Sequence, residues 1–222
     1  MIKAFIQALL FAAPWPVRRR LLRALFGYEI APTARIGFSL ILADRVTLKE
    51  GSRIGSLTLI KGIQSIFIDE FASLGSLNWV TGFPRGNTSH FTLEKDRRAS
   101  LHLHMHSAIT GRHLIDCTDR VTIGAFTTVG GWRSQILTHA IDLRTGRQSC
   151  APVTIGRYCF VGTGAILLKG SCLPDKSVLA AGSVLTRAMT EENTVYGGVP
   201  ANAIRPIDAG AKYFTRSVGF VY

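Results

Sequence analysis

At 222 residues, with 47% hydrophobic and only 18% charged residues, the chain has material for one domain with short appendages and a sizeable core. Its formal net charge of +12 requires an anionic partner: nucleic acid, a membrane surface or a phosphorylated cofactor. Helix-turn-helix, zinc-finger and aromatic RNA-binding patterns are absent, which argues against nucleic acid. Four cysteines without a CxxC pair, and no secretory signal, read as reduced thiols in a cytoplasmic protein.

Residues 1–13, MIKAFIQALLFAA, are apolar but interrupted by Lys3 and Gln7, and are too short for a bilayer span of about 20 residues. Pro14-Trp15-Pro16 and then Arg18-Arg19-Arg20 follow, where a cleavable leader would place small residues. From 17 to 26, Val17, Leu21, Leu22 and Leu25 share one helical face, with arginines mostly opposite. Two short helices are expected within 1–33. They either lie among anionic headgroups at the inner face of a membrane or cap the structure that follows, and the two readings are compatible.

From Ala34 apolar residues return every six positions. Leu48, Ile54, Ile60 and Ile66 keep the rhythm; after a two-residue slip, Ile68, Leu74 and Val80 continue it. The polar, turn-rich stretch at about 82–99 interrupts it and is expected to loop outward, with LEKDRR (93–98) solvated. The rhythm resumes at Leu103, Ile109, Ile115 and Val121, shifts to Ile123 and Val129, and breaks again at about 132–152. It is clearest at Ile155, Val161, Leu167, Leu173, Leu179 and Leu185. A small or compact residue stands two positions before each, and Tyr158, Gly164, Gly170, Lys176 and Gly182 fall where tight turns belong. Helices repeat in 3.6 and strands in 2, so a period of six describes short strands coiling around a triangular core. The expectation is an all-β parallel solenoid over 34–187, with 188–222 as a C-terminal extension.

Several polar residues stand out. His102, His104 and His106 alternate in LHLHMH, so a strand would point all three to one face. They read as acceptor-site or surface residues; a metal site lacks a carboxylate or cysteine at ligand spacing. His113 stands in rough register one coil before His139 and is expected to line the same cleft. Asn78, Trp79 and Trp132 offer amide and aromatic surface of the kind that binds sugars, with subunit packing the alternative for Trp79.

Four blocks then carry a resemblance: THAID (138–142), PVTIGRYCFVGTGAILLKGS (152–171), AAGSVLTR (180–187) and GGVPANAIRPI (197–207). In this order and spacing the chain resembles the hexapeptide-repeat acyltransferases. The nearer likeness is to the branch of maltose, galactoside and xenobiotic acetyltransferases and polysaccharide O-acetyltransferases. The resemblance covers roughly 34–207. It implies a left-handed parallel β-helix and a homotrimer with sites in clefts between protomers. It also implies direct transfer from acetyl-CoA to a sugar hydroxyl, on a cell-surface polysaccharide or its lipid-linked precursor.

The resemblance makes His139 the general base, a role that suits an imidazole titrating near neutrality. Asp142 would orient that imidazole or cap the loop. Gly164, Ala181, Gly182 and Ser183 would present backbone to the pantetheine arm. Arg187 and Arg205 would meet the nucleotide phosphates, and Pro200 and Ala201 would pack the adenine. Phe160 and Asn202 depart from the Trp and basic residue usual there. Catalytic His139 and Asp142 are thus expected beside substrate-binding His113, Trp132, Asn78 and His104, with no metal. The alternatives are N-acetylation of an amino sugar or antibiotic, and a non-catalytic or metal-binding β-helix of gamma-carbonic-anhydrase type; THAID and GGVPA argue against the latter.

Overall fold

Each hexad supplies one short strand and one corner, and three hexads close a coil. In the computed structural model, which describes every residue except Met1, Arg85, 87–89, Thr92, Phe220 and Tyr222, Ile155 pairs with Leu173, Val161 with Leu179 and Leu167 with Leu185, each eighteen residues on. Strands of successive coils pair in parallel and form three sheets, the faces of a left-handed β-helical prism. The first face runs from Glu29–Ile30 to Cys172–Leu173 and the second from Arg35–Ile36 to Val178–Leu179. The third runs from Leu40–Ile41 to Val184–Leu185. Inward side chains such as Ile60, Leu74, Ile115, Ile155 and Leu179 are fully buried, each contributing about 1.5–3 kcal/mol.

The two-residue slips have a structural cause. First-face strands Arg45–Leu48 and Ser65–Ile68 are four residues long and turn two side chains inward each, Val46 with Leu48 and Ile66 with Ile68. Leu48 therefore pairs with Ile68, twenty residues on.

The five expected turn residues of the last coils all take left-handed backbone, with φ of 55° at Tyr158, 68° at Gly164, 75° at Gly170, 53° at Lys176 and 68° at Gly182. For the bulky members this costs about 1–2 kcal/mol. Compensation comes from the coil below: Tyr158 N–H donates to Ala125 O at 2.8 Å and Lys176 N–H to Arg157 O at 2.7 Å. Along the edge between first and second faces the side chains also stack, Phe71 on His106 (5.1 Å), His106 on Phe126 (4.9 Å) and Phe126 on Tyr158 (4.7 Å). This corrects the histidine expectation. The strand ends at Leu103, so His102 faces out of the first sheet, His104 sits exposed at the corner, and His106 belongs to the aromatic stack.

The first insertion leaves the prism after Trp79–Thr81, as expected. The second starts later than 132, because Gln135–Leu137 is still a third-face strand with Ile136 buried. Ile136 follows Val129 by seven residues rather than six, which hides it from a hexad count. The chain then forms an antiparallel hairpin, His139–Asp142 against Arg147–Cys150. In the C-terminal extension, Thr194–Gly198 adds a further second-face strand and turns back as Ala201–Pro206.

A first coil has no coil beneath it, so its edge groups need other partners. Helix α1 (Ile2–Leu9), a 3-10 turn and helix α2 (Trp15–Phe26) supply them. Gln7 donates to Ile41 O at 2.7 Å and accepts Ile41 N–H at 2.8 Å. Trp15 Nε1 donates to Ala34 O at 3.1 Å, Arg18 to Gly37 O at 3.0 Å and Arg19 to Ile30 O at 3.1 Å. The helices cap the solenoid. None of the described helices is long and apolar enough to cross a membrane.

Gly62, at φ +71°, stands where an added Cβ would lie 2.1 Å from Gly82 O one coil on. Gly62→Ala is expected to cost about 2–4 kcal/mol. Gly27→Ala, at a left-handed helix end with nothing within 4 Å, should cost only about 1 kcal/mol. Urea unfolding of the two variants checks the difference.

Candidate active site

His139 opens the hairpin directly after the third-face strand Gln135–Leu137. Asp116 ends the third-face strand one coil below, paired with Leu137. Stacking of coils therefore brings together two side chains 23 residues apart: His139 Nδ1 lies 2.7 Å from Asp116 Oδ2. The same oxygen accepts Thr138 N–H at 2.8 Å, the Thr138 hydroxyl at 2.9 Å and His139 N–H at 3.1 Å. Oδ1 accepts the Thr118 hydroxyl at 2.6 Å and Thr118 N–H at 3.1 Å. Burial by itself would raise the Asp116 pKa. The hydrogen bonds from His139, Thr118 and Thr138, with the nearby imidazole charge, outweigh it and hold the carboxyl below its ordinary value. A carboxylate at Nδ1 fixes the ring proton there and leaves Nε2 as the basic nitrogen, on a side chain 30% exposed.

The 82–99 insertion folds back over this pair. Phe83 and Phe91 stand edge-on to the imidazole, with centroids at 5.5 and 5.9 Å. Arg97 pins them in place: Nη1 donates to Phe83 O at 2.6 Å and Thr118 O at 3.1 Å, and Nη2 to Pro84 O at 2.6 Å. Its guanidinium also lies 5.0 Å from the Phe91 ring. The expected solvated run thus contains a buried arginine that organises the site, because five guanidinium donors suit a cluster of carbonyls. Part of this insertion, Arg85, 87–89 and Thr92, lies outside the described residues.

Asp142 does not orient the imidazole. It caps the hairpin turn, its Oδ1 accepting Arg144 N–H at 2.9 Å and Thr145 N–H at 3.3 Å. Three residues along a strand, it faces away from His139. The nearby thiols are poor nucleophiles: burial pushes Cys117 well above its ordinary value and, with Asp119 and Glu94, raises Cys150 to about 12.

The other expected residues fall on different edges of the prism. His113 lies on the edge between second and third faces, one edge away from His139, because the 26 residues between them exceed a whole coil. It is buried, with Nε2 2.9 Å from the Thr110 hydroxyl and Nδ1 accepting Ser134 N–H at 3.2 Å, and burial lowers its pKa. Asn78 is fully buried and donates to Gly75 O and Thr110 O while accepting His113 N–H. Both side chains are engaged by partners within the chain. His104, on the edge between first and second faces, lies away from His139 in the same chain. Trp132 is 56% exposed on the second–third edge, with the Arg112 guanidinium 5.2 Å from its ring.

Gly164, Ala181 and Gly182 line that same second–third edge. A Cβ at Gly164 or Gly182 would meet nothing within 4 Å, so the edge is open there. Their N–H groups already donate to Trp132 O (3.0 Å) and Thr163 O (2.9 Å); they offer room for a ligand rather than those donors. Two of the expected contact residues are buried in the chain. The Ser183 hydroxyl accepts Gly198 N–H at 3.1 Å, and Ala201 sits in the core at 1% exposure. Pro200 and Arg205 are exposed on the C-terminal hairpin, and Arg187 is exposed on the third–first edge with Nη2 3.1 Å from Asn202 Oδ1. No group of three metal-ligand side chains occurs among the described residues.

Should His139 serve as the general base that the resemblance implies, Asp116→Asn would lower kcat about tenfold to a thousandfold with little change in KM, since it would act through His139. The stability effect has a definite sign. A carboxyl whose folded pKa is depressed contributes fully above its unfolded value of about 4, and the contribution disappears as pH falls through the folded value. The gap in urea midpoint between wild type and Asp116→Asn should therefore close in acid.

No protein-family model matches the chain. The galactoside O-acetyltransferase of Escherichia coli is 26% identical over 154 residues, covering 68% of this chain and 71% of that protein. The crystal structure of the polysialic acid O-acetyltransferase OatWY superposes with a TM-score of 0.62 at 17% identity, over 81% of this chain and 84% of that one. A variant of AntD, an N-acyltransferase from Bacillus cereus in complex with dTDP and coenzyme A, superposes at a TM-score of 0.50 and 11% identity, over 86% and 88% of the two chains. The structural likenesses carry the fold and the galactoside enzyme carries the sequence. Together they make the chain similar in fold to solved acyltransferases and in sequence to the galactoside O-acetyltransferase.

Proposed function

We propose that the protein transfers the acetyl group of acetyl-CoA to a sugar hydroxyl at sites formed between copies of a homotrimer. The observation that carries this reading is the Asp116–His139 pair, an imidazole held with its basic nitrogen available beside an aromatic wall. His139 Nε2 takes the acceptor proton as that oxygen attacks the thioester carbonyl. As the C–S bond breaks, the imidazolium returns the proton to the departing sulfur, and Asp116 stabilises the transient charge. No protein thiol takes part. The acetylated position on an acceptor sugar would lie against Phe83, whose ring can cover an apolar sugar face.

Support for the assembly comes from the third face. At the first outward position of its strands stand Leu40, Leu59, Trp79, Leu114, Gln135, Ile166 and Val184, six of the seven apolar, and Trp79 is 58% exposed. A continuous apolar face of this kind favours burial against a partner. Three prisms turning this face to a common axis set the third–first edge of one against the second–third edge of the next. His139 would then face the open edge at Gly164 and Gly182 of its neighbour, where the pantetheine arm fits. Arg112 and Arg133 on that edge suit the nucleotide phosphates, and Arg187 and Arg205, at the C-terminal hairpin, are a second candidate pair.

His139→Ala should slow acetyl transfer to oligosaccharide acceptors by about 10²–10⁴-fold. Mild alkali should remove the product's acetyl group, as it does from an ester; an alkali-stable amide would shift the reading to N-acetylation. Trp79→Glu should lower the solution mass from trimer toward monomer, read by light scattering, and turnover should fall with it.

A further inference from the structure

We propose that the capped end of the prism docks on an anionic lipid surface. A helix that only covers a solenoid end in water turns its apolar side inward and its polar side out. Helix α1 does the reverse along one stripe. Gln7 points in and bonds Ile41, and Lys3 Nζ donates to Ala43 O at 2.5 Å. Ile2, Phe5 and Leu9, at i, i+3 and i+7, point out with 78%, 66% and 61% of their surface exposed. On α2, Val17 and Leu25 are exposed as well. The polar side chains are committed to the free carbonyls of the first coil, so the apolar ones have no protein to cover them.

Charge selects the occupant. Residues 1–28 contain five basic side chains and no Asp or Glu. Arg18 is consumed in the cap, but Arg20 and Arg23 are exposed on α2 beside the apolar residues. Apolar side chains that enter an interface, flanked by free guanidinium groups, match acidic headgroups and the acyl boundary beneath them. A second copy of this chain would bring like charges together. In the proposed trimer the third faces meet along the axis, so all three caps lie at one end and can engage one plane together.

Resting on the acetyl-transfer reading, this docking also sets a distance. His139 leaves the fifth coil from the capped end, about four spacings of roughly 4.8 Å above the first coil, and the cap helices add about 10 Å, so it would work about 30 Å above the lipid. A glycan attached to a lipid at its far end suits that height.

The test is sedimentation of the full chain with vesicles of phosphatidylcholine plus phosphatidylglycerol, and with phosphatidylcholine alone. Wild type should pellet with the mixed vesicles and be released by salt. The double variant Phe5→Ser/Leu9→Ser should partition about tenfold less or weaker still, with its thermal transition unchanged. Arg20→Glu/Arg23→Glu should lose the preference for the acidic lipid. Wild type that stays in the supernatant, or variants that pellet like wild type, would overturn the proposal. So would a change in solution mass for Phe5→Ser/Leu9→Ser without vesicle binding, which would assign the face to a second copy. Vesicle binding is measured without any acceptor, so loss of acetyl transfer with binding intact would sink the enzymatic reading and leave the docking surface standing.

Discussion

In a parallel solenoid every residue stands above a counterpart one coil down, and that vertical register decides which side chains can meet. The N–H groups of corner residues donate to carbonyls of the coil below, so a corner cannot drift sideways without breaking a ladder. Three edges result, each a separate column of side chains. One carries the Phe71–His106–Phe126–Tyr158 stack, one carries Trp132, Gly164 and Gly182, and one carries Asp116, His139 and the aromatic insertion.

The third–first edge shows how the register builds a reactive pair. Asp116 and Thr118 come from one coil and Thr138 and His139 from the next, and the six hydrogen bonds to the carboxylate lock the imidazole by one nitrogen. The insertion that precedes them in sequence returns to the same edge, tied by Arg97 to Thr118 O and to its own backbone. Orientation, charge stabilisation and an apolar wall thus come from three different coils. The buried carboxylate tolerates its surroundings because its hydrogen bonds are satisfied.

Much of the scaffold was legible because a hexad repeat is periodic and the physics of the core is periodic with it. The inward positions from Ile155 to Leu185 and the left-handed turn residues from Tyr158 to Gly182 stand where the spacing puts them. The motif THAID singles out His139 as an expected site residue. Its partner was not legible, because Asp116 is close only after a coil lengthened to 21 residues, the separation of Asp116 and Leu137, and a strict count of six cannot track it. The same drift set His113 on the wrong edge and hid the strand at Ile136. Asp142 looked suitable by being near in sequence, yet hairpin geometry turns it into a cap. Arg97 looked solvated because charge runs are usually surface; only the fold reveals the carbonyls that claim it. Asn78 was read from its amide and Ser183 and Ala201 from the resemblance; the fold buries the Asn78 amide among backbone partners and leaves Ser183 and Ala201 little exposed surface.

The central claim is that the imidazole of one chain serves the donor groove of another, and mixing two inactive chains tests it. His139→Ala lacks the base, and Gly182→Trp fills the open edge; each alone should be inactive. Co-expressed at equal levels, the two should form mixed trimers in which an intact His139 faces an intact groove at about a quarter of the sites, restoring about a quarter of wild-type activity. Mixed trimers, demonstrated by mass, that remain as inactive as either parent would contradict the account.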